Sequence, residues 1–226
     1  MSGTRGRAAA RGLVLFDCDG VLVDSEVISM RELTRAIERA GGTLTEAEVR
    51  AQFVGIGMVD IERKTAAHLG RPVPEDFVAS FVAARAEAFE RELMPVPGAR
   101  EAIDGVRAAG WEACIASGGL PSKMEQTLRV AGLRDAIPDD RIFSATVVPR
   151  GKPAPDLFLH AAAVCGYAPD ACVVVEDSVP GVSAGIAAAM RTFGYANGDA
   201  EHAARLAALG AELLGDLREL PARLAG

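Results

Sequence analysis

Apolar and polar positions follow two different rhythms along this chain, and the change of rhythm divides it. Leu13-Val14-Leu15-Phe16 is a short, unbroken apolar run that stops at Asp17. A run of that length bounded by turn residues predicts a strand buried on both faces, as in a parallel sheet. From residue 26 to about 93 the apolar positions instead recur at helical spacing. Val27, Met30, Leu33 and Ile37 form one stripe, closed by Gly41-Gly42, with Asp24 or Ser25 offered as its N-cap. Thr45, opening T-E-A-E, reads as the cap of a second helix that fades at Phe53-Val54-Gly55. Residues 57–69 predict a third helix and 75–93 a fourth.

Met94-Pro95-Val96-Pro97-Gly98 then breaks the helical pattern. Beyond it, helices over 100–109, 122–131, 154–165 and 182–190 alternate with strands over 111–116, 141–145, 172–175 and 191–195. Such alternation predicts a parallel sheet wrapped by helices, to which the first strand also belongs. The expected architecture is α/β: a doubly wound, Rossmann-like parallel sheet core from 12–24 and 95–226, an all-helical cap inserted over 25–94, and a flexible tail over 1–11.

The bulk properties narrow the function. The 226 residues are half hydrophobic and carry a formal charge of −7, which argues against nucleic acid and anionic membranes as partners. No run approaches the roughly 20 apolar residues of a membrane span, and the basic N-terminus lacks the apolar stretch of a signal peptide. Cys18, Cys114, Cys165 and Cys172 have no C-x-x-C spacing, and three of them lie in or beside apolar runs, so they read as small buried hydrophobes in a reducing compartment and a cytoplasmic location is expected. Cys18 lies between two aspartates, which would raise its pKa and oppose a nucleophilic role. A monomer is the default, with a dimer as the other option.

Chemistry gathers where strands run out. Asp17 and Asp19 flank Cys18 and precede Gly20. By itself D-x-D is compatible with a turn or a helix cap. Two carboxylates this close repel, and a hard divalent cation such as Mg²⁺ is the simplest way to keep both ionised. Ser117-Gly118-Gly119 ends the second strand and offers a hydroxyl and backbone N–H groups to an anion, or else makes an ordinary strand-to-helix turn. Lys152 sits in Gly151-Lys152-Pro153-Ala154-Pro155-Asp156, a loop stiffened by two prolines, with Pro155 suited to the first turn of the next helix. Glu176-Asp177 closes the most apolar strand, with Ser178 available as a helix cap.

Taken in order and spacing, D-C-D-G-V-L-V-D-S-E, S-G-G, G-K-P-A-P-D and V-V-V-E-D-S-V-P-G-V-S-A-G-I-A-A-A-M resemble the haloacid dehalogenase-like hydrolase superfamily. The likeness is to the helical-cap branch that includes beta-phosphoglucomutase and sugar-phosphate phosphatases. It implies Asp17 as nucleophile, forming an aspartyl-phosphate, and Asp19 as general acid and then base. It also implies that Ser117 and the Gly118 amide hold the phosphoryl group while Lys152 balances its charge. Mg²⁺ would be held by Asp17, the Asp19 carbonyl and Asp177, with Glu176 in or near its coordination sphere.

Within that resemblance, Asp19 argues against dehalogenases, which lack the second aspartate. Lys64, seven residues past Gly57, is poorly placed for the Schiff-base lysine of a phosphonatase. Met58 falls about where a mutase cap carries a phosphate-gripping arginine, and an apolar side chain cannot grip a dianion. The expected function is Mg²⁺-dependent hydrolysis of small phosphorylated metabolites, sugar or sugar-acid phosphates. A phosphosugar mutase is the alternative, with a phosphonatase or a non-catalytic binding protein on this fold behind it.

Overall fold

The computed structural model describes residues 10–224, so residues 1–9 of the expected tail lie outside the described residues. In chain order the elements are β1 (Leu13–Phe16), α1 (Glu26–Arg39), α2 (Glu46–Phe53), α3 (Met58–Leu69), α4 (Phe77–Glu92), α5 (Ala99–Ala108), β2 (Glu112–Ser117) and α6 (Pro121–Val130). They continue with β3 (Ile142–Ser144), α7 (Asp156–Cys165), β4 (Cys172–Glu176), α8 (Val179–Ala187), β5 (Arg191–Tyr195), α9 (Ala200–Ala208), β6 (Glu212–Leu214) and α10 (Leu220–Arg223).

The six strands form one parallel sheet in the order β3-β2-β1-β4-β5-β6. The predicted doubly wound sheet is therefore present, and β1 is central to it. All four β1 residues have zero exposure, as their unbroken apolar run requires. Leu13 lies opposite Glu112 on one side and Cys172 on the other, and Phe16 opposite Ile115 and Val175. On one face, Leu13, Leu15, Cys114, Ala116, Cys172 and Val174 pack beneath Leu157, Phe158 and Ala161 of α7 and Ala184 of α8. Strand order reverses between β1 and β4, the place where open α/β sheets form a crevice at the strand carboxyl ends.

The chain separates into two compact units. One consists of residues up to 22, Pro97–Leu120 and the segment from 135 onward; the other of Val23–Val96 with Pro121–Arg134. In the second, Leu33, Ile37, Val49, Phe53, Phe77 and Phe81 make a helix-lined core. Thr45 closes a full capping box with Glu48. This unit also contains α6, which the sequence reading assigned to the sheet core. The physical reason is polar: Gln126 donates to the Ala86 carbonyl at 3.0 Å and to Glu90 at 2.7 Å, and Arg129 pairs with Glu90.

Other departures have local causes. α8 begins three residues earlier than predicted because the Ser178 hydroxyl accepts the Gly181 N–H at 3.0 Å and Pro180 fits the first turn. Ser25 takes the N-cap position of α1 but stays in a helical backbone conformation and makes no side-chain cap bond. Pro155 stands at the N-cap of α7 rather than inside its first turn. α9, β6 and α10 had no counterpart in the sequence reading. β6 is only three residues long, too short for alternation to register.

Two stability changes follow from this packing. Leu15→Ala should cost about 2–5 kcal/mol through loss of core contacts and the residual cavity, and Thr45→Ala about 1 kcal/mol through loss of the cap. Urea unfolding followed by circular dichroism checks both values.

Candidate active site

Every residue singled out at a strand end stands on the carboxyl edge of the sheet. Asp17 follows β1 directly, with its N–H bonded to the Val175 carbonyl at 2.9 Å, and is 6% exposed. Ser117 ends β2 and is 1% exposed; its hydroxyl accepts the Gly119 N–H at 3.2 Å. The Ser144 hydroxyl donates to the Gly119 carbonyl at 2.7 Å, which fixes the turn, and Gly118 lies exposed within it. Glu176 ends β4 and is 1% exposed. Asp19 and Asp177 are half-buried on the loops that follow β1 and β4.

Lys152 joins these elements. Its Nζ donates to Asp17 Oδ1 at 2.5 Å, to Glu176 Oε1 at 2.5 Å and to the Ala116 carbonyl at 3.0 Å, and it lies 4.9 Å from the centre of the Phe158 ring. An ammonium has three N–H donors, and here each has an acceptor. Burial opposes the charge on Lys152, but Asp17 and Glu176 outweigh it and hold the lysine protonated well above its ordinary range. Burial pushes the Asp17 carboxyl up, to about 7; Lys152 pulls the other way, and Glu176 and Asp19 add to the upward push. One cation thus faces several carboxylates, so the edge favours further positive charge.

Glu176 is spent on structure. Oε1 holds Lys152, and Oε2 accepts the Ser178 N–H and hydroxyl, each at 2.9 Å. A Cβ on Gly181 would fall 1.8 Å from this carboxylate, so only glycine leaves it room. Both oxygens of Glu176 thus serve Lys152 and the start of α8, which places this carboxylate directly behind the Asp17 and Asp177 side of the edge. Asp177 is different. Its carboxylate sits where a Cβ on Gly20 would be, 1.9 Å from the ideal position, and Gly20 has a φ of +83°. The turn after Asp19 thus requires glycine twice over, for its backbone and for the space that Asp177 fills.

The donor set suits Mg²⁺. Asp17, Asp177 and the Asp19 backbone offer only hard oxygens, and Mg²⁺ is commonly bound through one or two carboxylates, waters and substrate oxygens. One contact was not anticipated. His202 Nε2 lies 2.5 Å from the Asp177 backbone carbonyl, which makes it a donor, and the His202 backbone N–H donates to the Asp199 carboxylate at 2.9 Å. No local pattern marks His202, because its partner is a backbone atom of another element.

Comparison with known proteins agrees with this fold. A family model of haloacid dehalogenase-like hydrolases matches residues 12–189. The chain is 33% identical over 181 residues to the 6-phosphogluconate phosphatase of Escherichia coli, covering 80% of each protein. It is 32% identical over 182 residues to hexitol phosphatase B of the same organism, covering 79% of this chain and 80% of that one. Among solved structures, a hydrolase of this family from Deinococcus radiodurans, crystallised with phosphate and sodium, superposes with a TM-score of 0.79 at 35% identity, covering 96% of each chain. The chain belongs to the haloacid dehalogenase-like hydrolase family.

Removing the central cation should be costly. Lys152→Met leaves Asp17 and Glu176 buried without a counter-charge and should destabilise the protein by about 3–5 kcal/mol, as read by urea unfolding. Asp17→Asn in the same background should recover part of that loss, which separates charge imbalance from lost packing.

Proposed function

We propose that the protein is a Mg²⁺-dependent phosphatase of small phosphorylated metabolites, with sugar and sugar-acid phosphates as its substrate class. The observation that carries this reading is the buried Lys152 ammonium held between Asp17 and Glu176 and bonded to the carbonyl of Ala116, the residue before Ser117. Phosphoryl transfer to a carboxylate needs that arrangement, since an anionic nucleophile must approach an anionic substrate. The similarity to phosphatases of 6-phosphogluconate and hexitol phosphates supports the substrate class.

In this reading an Asp17 oxygen attacks phosphorus, and Asp19 protonates the departing oxygen. Asp19 then takes a proton from water, which attacks the phosphorus of the aspartyl-phosphate and releases phosphate. The Ser117 hydroxyl and the Gly118 N–H bind the transferring oxygens, and Lys152 offsets their charge while aligning Asp17. Asp17, the Asp19 carbonyl and Asp177 would hold Mg²⁺, which when bound supplies further neutralisation of the phosphoryl oxygens. Glu176 acts behind this set by holding Lys152. His202 steadies the strand end that presents Asp177.

Two observations in the helical unit weigh against the alternatives. Met58 packs against the apolar core of that unit, where a mutase would need a phosphate grip. Lys64 Nζ is bound to the Gln52 carbonyl at 2.6 Å and lies 5.8 Å from the Phe53 ring, a structural use unlike that of a Schiff-base former. Four free cysteines among the described residues suit a reducing, cytoplasmic setting, and no described helix is long and apolar enough to cross a membrane. A monomer acting on a small metabolite is the simplest working form.

Turnover of p-nitrophenyl phosphate should need added Mg²⁺ and disappear with a chelator. Asp17→Asn should lower it by on the order of 10³-fold or more. Unchanged turnover in that variant would overturn the mechanism. In a screen of phosphorylated metabolites, phosphate release should be fastest with sugar-acid or hexitol phosphates. Isomerisation of beta-glucose 1-phosphate outrunning phosphate release would instead favour the mutase.

A further inference from the structure

Three cysteines that the phosphatase reading does not use converge on one face of the sheet. Cys114 on β2 and Cys172 on β4 lie opposite Leu15 and Leu13 of β1, two residues apart, so both point to the same side. Both are buried in the cluster formed with Leu157, Phe158, Ala161 and Ala162 of α7. Cys165 is the last residue of α7, one turn past Ala161, and packs against the same cluster.

The three thiols have different surroundings. The Cys172 thiol donates to the Ala168 carbonyl at 3.3 Å, and burial pushes it up to about 11. Burial pushes Cys114 well above the ordinary thiol range. Cys165 is only partly buried. Cys114 and Arg141 lie beside it and together hold it down at about 7 against partial burial and the charge of Glu112. Arg141 Nη2 pairs with Glu112 at 3.1 Å, while Nη1 is buried and has no hydrogen-bond partner among the described residues. An unpaired buried guanidinium N–H is costly, and an anionic sulfur at Cys165 would relieve it. An electropositive, partly exposed thiol next to a second thiol is the setting in which cysteine oxidation is selective.

We propose that Cys165 is a peroxide-reactive thiol and that Cys114 is its resolving partner, which makes the contact between α7 and β2 an oxidisable dithiol separate from the phosphoryl-transfer centre. The Cys165 thiolate attacks one oxygen of hydrogen peroxide; an S–O bond forms, the O–O bond breaks, and hydroxide leaves, so sulfur is oxidised and peroxide reduced. The Cys114 sulfur then attacks the Cys165 sulfenic sulfur. The S–S bond forms as the S–O bond breaks, and the departing hydroxide takes the Cys114 proton to give water. Cys114 lies three residues before Ser117, so the disulfide would tie α7 to the strand that carries the anion-binding turn.

The full chain, reduced and then exposed to hydrogen peroxide, is alkylated and digested without reductant using a protease that cleaves before Asp170, which separates Cys165 from Cys172. Mass spectrometry should find a Cys114–Cys165 cross-linked peptide, with Cys18 and Cys172 still alkylated. In Cys114→Ala, dimedone present during oxidation should label Cys165 at least tenfold more than Cys172. Absence of the cross-link in the wild-type protein, or a cross-link from Cys165 to Cys172, would overturn the proposal whether or not the variant folds. Equal dimedone labelling of Cys165 and Cys172 would do the same.

Discussion

A buried ammonium with all three donors used is a demanding object, and the carboxyl edge of this sheet is arranged to satisfy it. Lys152 reaches the ends of β1, β2 and β4 at once, through Asp17, the Ala116 carbonyl and Glu176. Without those acceptors the charge would be expelled from the interior or neutralised. Without the lysine, the two carboxylates would face the same penalty, so each group is tolerated because of the others. The pairing also aims Asp17: one carboxylate oxygen is fixed on Lys152, and the buried strand end restricts the rest of the side chain.

Much else at this edge serves the same constraint. Glu176 can hold Lys152 only because α8 starts at its other oxygen, through Ser178, and because Gly181 has no side chain to displace it. Gly20 does for Asp177 what Gly181 does for Glu176. The result is an edge with more negative than positive side chains, which favours further positive charge. In such a site fixed charges act without reorganising, which is where the largest part of a phosphoryl-transfer barrier can be lowered.

The sequence revealed the architecture through rhythm. Period changes of the kind seen between residues 26 and 93, and after Gly98, are averaged over many residues and survive local exceptions. In the last thirty or so residues the strand β6 escaped because it is three residues long, too short for alternation to register. Strand-end residues stood out because a charge that stops an apolar run is a local signal. Their partners were not legible: Lys152 and Asp17 are 135 residues apart, and His202 binds a backbone carbonyl. Glu176 illustrates the limit most clearly. Its residue type suggests a metal ligand, and its bonds to Lys152 and Ser178 come from distant and adjacent chain that the strand-end pattern does not reveal.

The central claim is that Asp17, aligned by Lys152, receives the phosphoryl group. Rapid acid quenching during turnover of p-nitrophenyl phosphate, followed by borohydride reduction and peptide mapping, tests it directly. An aspartyl-phosphate at position 17 would be reduced to homoserine there, in proportion to the enzyme trapped in turnover. Unmodified Asp17 in an actively turning-over sample, with reduction at another carboxylate or at none, would contradict the account.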